Sequence, residues 1–128
     1  KVNLLQYSDY IGYPSVVKSV RANLGIAPLV NNEFNKCKSD IKYLEYSASG
    51  VPFIGTRFDD GNSPYEGLYS VSESATVKQI QEKVDYIFEL ENYNRIKNEQ
   101  YQSLVDNGRY LESKIYLDKL YEALFISR

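Results

Sequence analysis

The chain has 128 residues with 15 basic and 17 acidic side chains, a formal charge of −2 at pH 7, so no surplus of positive charge marks a nucleic-acid-binding surface. Its 43% hydrophobic and 25% charged residues are the balance of a chain that buries a core as one domain, not of a disordered one. The absence of histidine and the single cysteine, Cys37, exclude a Ser-His-Asp or Cys-His catalytic set, an ordinary zinc site and an intrachain disulfide, which fits a reducing, cytoplasmic setting.

Residues 2–6 read as a strand, followed by a turn carrying Ser8, Asp9, Gly12 and Pro14. Val16, Val17 and Val20 then fall at helical spacing across residues 13–21. A second strand is expected at 23–29, and a polar loop at 30–38. This loop opens onto a helix from about Ser39, capped by Ser39 or Asp40, with Ile41, Leu44 and Ala48 as its apolar stripe. Gly50 stops that helix, and residues 51–55 form a third strand. Residues 56–67 hold Gly61, Asn62, Pro64 and Gly67 and read as a surface loop before a short strand at 68–71.

From Ser74 onward there is no proline and one glycine, the pattern of a helical tail. Ser74 is its expected cap, Val77, Ile80, Val84 and Ile87 share one face, and Asn107-Gly108 divides it from a last helix with Leu117, Leu120, Tyr121, Leu124 and Phe125 in its stripe. Alternating strands and helices in the first half predict an α/β fold with a mostly parallel sheet. The organisation expected is residues 1–73 as the α/β portion and 74–128 as a helical tail packing on it or extending it. No run approaches the roughly 18 apolar residues of a membrane span, and the chain has no secretion-signal pattern.

Open α/β sheets hold ligands outside the carboxyl ends of their strands, which selects the loops at 30–38 and 56–67. The first runs into a helix whose free N–H groups and positive dipole end attract a phosphate. Lys38 stands beside that end, and Lys42 and Glu45 follow at intervals of four and three, on one stripe. Two ammonium groups can hold a diphosphate there while the carboxylate accepts sugar hydroxyls. The competing reading is a surface Lys42–Glu45 ion pair worth about 0.2–0.5 kcal/mol. Ser39 has a capping alternative, and Asn35 a turn-stabilising one. Cys37 reads as a small filler, and Asp59 and Asp60 as solvated loop acids in preference to a cation site.

The run Phe34-Asn35-Lys36-Cys37-Lys38-Ser39-Asp40-Ile41-Lys42-Tyr43-Leu44-Glu45-Tyr46, continued by Gly50-Val51-Pro52-Phe53-Ile54, resembles the signature of glycosyltransferases with two facing Rossmann-like domains, the group 1 or family 4 type. The upstream Leu24-Gly25-Ile26-Ala27-Pro28-Leu29 and the Pro64-Tyr65 pair fit the same pattern. The resemblance covers about residues 2 to 71. It implies a partial Rossmann-like parallel sheet from the C-terminal, donor-binding domain, and transfer of a sugar from a nucleotide-diphosphate donor to a glycan or lipid-linked acceptor.

By position Glu45 resembles the family's ribose-binding glutamate, Lys38 and Ser39 occupy the loop near the donor phosphates, Lys42 assists them, and Asn35 belongs to the same loop. Cys37 stands where the family's first glutamate falls. Lys38 and Lys42 are thus the expected catalytic residues, and Glu45, Ser39 and Asn35 the expected donor-binding ones. No metal and no cofactor beyond the donor substrate is expected.

The chain begins at Lys1 and contains no Met. It reads as a piece that lacks two earlier strand-helix units and the acceptor-binding domain, and that is inactive alone. The alternative is a noncatalytic α/β module whose helical tail mediates assembly, with homo-oligomers possible under either reading.

Overall fold

A computed structural model describes residues 19–65 and 69–107. The expected strand at 2–6, nearly all of the helix at 13–21 and the last helix with Leu117, Leu120, Tyr121, Leu124 and Phe125 lie outside the described residues. In chain order the elements are β1 (Gly25–Ala27), α1 (Glu33–Lys36), α2 (Ile41–Ala48), β2 (Phe53–Arg57), β3 (Ser70–Ser72), α3 (Val77–Phe88) and α4 (Leu90–Asp106). The strands form one parallel sheet in the order β1-β2-β3. The fold is α/β with a parallel sheet, as the alternating pattern predicts, and it is consistent with the partial Rossmann-like sheet that the resemblance implies.

The register sets Gly25 beside Phe53, Ile26 beside Ile54 and Ala27 beside Gly55, and on the other side of β2 sets Thr56 beside Val71. Side chains alternate along a strand, so Gly25, Ala27, Phe53 and Gly55 share one face and Ile26, Ile54, Thr56 and Val71 the other. On the first face the Phe53 ring meets Tyr43 and Tyr46 of α2 at 5.9 and 6.0 Å and Tyr65 at 5.1 Å. The two glycines make room for these rings. A Cβ added at Gly25 would stand within 3.0 Å of the Tyr46 ring, and one at Gly55 equally close to Tyr65. On the second face buried Ile54 packs with Ile87 of α3 and Ile96 of α4, surrounded by Leu24, Tyr69, Val71, Val84 and Tyr93. At the seam, the Gln100 side chain of α4 donates to the Phe53 carbonyl at 3.4 Å.

Several boundaries differ from expectation. The loop at 30–38 contains α1, capped by Asn32, whose side-chain oxygen accepts the Asn35 N–H at 2.8 Å. The next helix starts at Ile41 and not near Ser39, and Asp40 at its N-cap makes no side-chain capping bond. Its inward face is Tyr43, Tyr46 and Ser47, whereas Ile41 is 50% exposed and Ala48 exposed. Tyrosine carries more apolar area than alanine, and the glycine-lined strand face accepts flat rings. Gly50, at φ +67°, ends the helix as expected. Strands expected at 51–55 and 68–71 lie at Phe53–Arg57 and Ser70–Ser72.

At the start of α3 the cap is Thr76, not Ser74. The Thr76 hydroxyl accepts the Gln79 N–H at 3.3 Å, and the Gln79 side chain accepts the Thr76 N–H at 2.9 Å. Glutamine three residues on completes this reciprocal pair, and the residue three after Ser74 is Val77. Of the expected apolar face, Ile87 is buried and Val84 half-buried, but Ile80 is 40% and Val77 84% exposed, so only the C-terminal half of that face is covered. An extended Glu89 (ψ 129°) breaks the tail into α3 and α4, and α4 ends before Asn107, where the Asn-Gly pair predicts.

Candidate functional site

The carboxyl ends of the three strands, Ala27, Arg57 and Ser72, open onto three loops at one edge of the sheet. Beside them, between the Ile26–Ile54 face and α3, lies a cleft of about 350 Å³, within the size range of small-molecule sites. Its floor and wall are Ile54, Val71, Ile80 and Val84, and Asn31, Thr56 and Glu73 bring polar groups to it. Thr56, on β2, fixes the loop above it: its hydroxyl accepts the Leu29 N–H at 3.0 Å, and its carbonyl accepts the Ser63 hydroxyl.

Polar side chains join the loops to one another. The Asn31 amide, just beyond β1, donates to Asp60 at 3.3 Å and to Glu73 at 2.9 Å. Glu73 also accepts the Asp59 N–H at 2.9 Å, and Lys36 of α1 donates to Asp60 at 2.8 Å and to Glu33 at 3.3 Å. Asp59 accepts the Ser72 hydroxyl. The ionic partners shift one another: the hydrogen bond from Lys36 lowers the Asp60 pKa, and that to Asp60 raises the Lys36 pKa. The hydroxyls of Ser72 and then Ser74 lower that of Asp59. The two aspartates are therefore engaged with protein groups. Among the described residues no cluster of three or more Cys, Asp or Glu side chains is arranged to hold a metal ion.

Of the expected site residues, Lys38 and Ser39 are exposed between α1 and α2, and the Lys38 ammonium lies 4.9 Å from the centre of the Phe34 ring. Lys42 and Glu45 meet at 2.9 Å across one turn of α2, with side chains 42% and 27% exposed. These two are together on one stripe, as the spacing predicts, and they are bonded to each other, but Lys38, expected on the same stripe, precedes the N-cap Asp40 and lies outside α2. Asn35 is buried, and its amide donates to the Val30 carbonyl at 2.8 Å, so it shapes the loop from within. None of these five lines the cleft, whose wall on this side is Val30 and Asn31.

No family model, curated protein or solved structure matches the chain.

Sequence reasoning missed Asn31, Lys36 and Glu73. Asn31 lies 29 residues from Asp60 and 42 from Glu73, and no local spacing rule connects positions so far apart. The available hint was an Asn-Asn pair directly after an apolar strand, a common place for side chains that bind backbone or neighbouring loops. Among the described residues no helix is long and apolar enough to cross a membrane.

Proposed function

We propose that this chain is the nucleotide-sugar-binding portion of a cytoplasmic glycosyltransferase, one that moves a sugar from a nucleotide-diphosphate donor to a glycan or lipid-linked acceptor held by a domain outside this chain. One observation carries the reading. Lys38 and Ser39 lie between α1 and α2 on the connection that leaves the carboxyl end of β1, directly ahead of α2, with Lys42 in the first turn of α2 and Glu45 in the second.

In such a transfer the bond between the anomeric carbon and the phosphate oxygen breaks, and negative charge grows on the departing diphosphate. The Lys38 ammonium and the first N–H groups of α2 oppose that charge more strongly in the transition state than in the bound donor, which is what accelerates the step. Lys42 and Glu45 exchange their mutual bond for donor groups: the ammonium takes a phosphate oxygen and the carboxylate takes ribose hydroxyls. Because lysine and backbone supply the positive charge, the transfer is read as metal-independent.

Calorimetric titration with uridine and guanosine diphosphate tests the proposal. Saturable binding that Glu45→Ala weakens by about tenfold, the loss of one charge-assisted hydrogen bond, is the expected result. Failure of both nucleotides to bind overturns it.

A second reading, an assembly module, draws on the bend between α3 and α4. There Phe88 and Leu90 are 47% and 78% exposed, and Val77 at the far end of α3 is 84% exposed. Concentration-dependent dimerisation in sedimentation, without nucleotide binding, is its signature.

A further inference from the structure

The three lysines of the segment 36–42 are not equivalent. Lys42 is paired along its own helix, Lys36 is tied to Asp60 across 24 residues, and Lys38 points onto the exposed Phe34 ring. Between β1 and α2 the chain is held at each stage of its path. Thr56 takes the Leu29 N–H, Asn35 takes the Val30 carbonyl, Asn31 reaches Asp60 and Glu73, and Lys36 reaches Asp60. Lys38 and Ser39 follow two and three residues after the last of these anchors, Lys36.

We propose that Asn31 and Lys36 are positioning residues: by binding Asp60 and Glu73 on the neighbouring loops, they fix the shape of the segment that presents Lys38 to a nucleoside diphosphate. This rests on the nucleotide reading above and assigns a role to residues that reading leaves out. The physical reason is preorganisation. A four-residue helix is too short to hold itself together in water, so α1 keeps its place only if its ends are fastened elsewhere. A loop ordered before the ligand arrives spares the binding step that ordering cost. Lys36 fastens one end of α1, and Asn31, next to the capping residue Asn32, fastens the other. Asp60 accepts from both, so the loop after β2 is the common anchor.

The test pairs titration with uridine and guanosine diphosphate with amide exchange on the full chain. Asn31→Ala and Lys36→Ala each weaken binding by about threefold to tenfold, the scale of one or two part-exposed hydrogen bonds. Each also speeds exchange of the amides at 35–38, which are bonded within α1. Lys36→Arg, which can still reach Asp60, restores both readouts. Lys38→Ala loses binding while those amides keep their wild-type exchange, separating a ligand contact from a fastening. Should Lys36→Ala misfold, Asp60→Asn cuts the same ion pair from the other side. Wild-type binding by Asn31→Ala and Lys36→Ala, or unchanged exchange in both, overturns this proposal and leaves the nucleotide reading standing. If the wild-type chain binds neither uridine nor guanosine diphosphate, the nucleotide reading falls and takes this proposal with it.

Discussion

Gly25 and Gly55 show how a residue without a side chain can decide what its neighbours do. Each lies under a tyrosine ring, Tyr46 and Tyr65, closer than any Cβ could tolerate. Gly25→Ala and Gly55→Ala should therefore each cost about 1–3 kcal/mol, the usual penalty for overpacking, read from urea midpoints at unchanged slope. Ser47 presents the opposite case. It is 1% exposed, and its hydroxyl has no hydrogen-bond partner among the described residues. Ser47→Ala should hold stability or raise it by up to about 1 kcal/mol, since a buried unsatisfied hydroxyl is removed and helix propensity improves; a loss beyond that size would mean the hydroxyl is satisfied after all. The proposed function gives a kinetic prediction. If the chain serves the proposed sugar transfer, Glu45→Ala should raise the donor KM and Lys38→Ala should lower kcat, because ribose binding is common to ground and transition states whereas phosphate charge grows along that reaction. Unchanged donor kinetics would remove Glu45 from the site, and a normal kcat would remove Lys38.

For the elements, caps and inter-element bonds matter more than propensity. The Thr76–Gln79 box starts α3 at its exposed end, where Val77 is 84% exposed. Thr76→Ala should cost about 1 kcal/mol, visible as a lower thermal midpoint. The Tyr69 hydroxyl, just ahead of β3, donates to Glu99 of α4. Burial, and then the hydrogen bond to Glu99, hold the Tyr69 pKa above its ordinary value of 10.0. A group whose pKa is raised by folding contributes stability that is complete below the unfolded value and is lost as pH rises through the folded one. The chain should therefore lose stability above about pH 10, and Tyr69→Phe should flatten that alkaline slope. An unaltered slope would show that Tyr69 ionises as freely folded as unfolded. Element boundaries were the least legible feature, and the reason is local. Ser39, Asp40, Ser74 and Thr76 are all acceptable caps by residue type, and the choice went to Thr76 because Gln79 completes its box.

In the whole molecule, a parallel sheet is stable when both faces are covered. Tyrosines of α2 cover one face of this sheet, and Ile87 and Ile96 cover the other. The cleft of about 350 Å³ lies on that second face, and the proposed phosphate-binding lysine follows the loop at its edge.

The sequence by itself determined the α/β class, the order of the three described strands with α2 between the first two, the stop at Gly50 and the end of the tail helix at Asn107. Each of these depends on contacts within a few residues: alternation, helical spacing, a left-handed glycine, an asparagine after the last turn. It also placed Lys42 and Glu45 on one stripe, since one helical turn fixes that distance. Only the tertiary structure decided that α2 would turn Tyr43 and Tyr46 toward the sheet in place of Ile41 and Ala48, that Asn35 would turn inward, and that Asn31 and Lys36 would join loops far apart in sequence. Those outcomes depend on which backbone arrives opposite, through the room left by Gly25 and Gly55 and the position of Asp60 and Glu73, and a one-dimensional pattern carries no such distances.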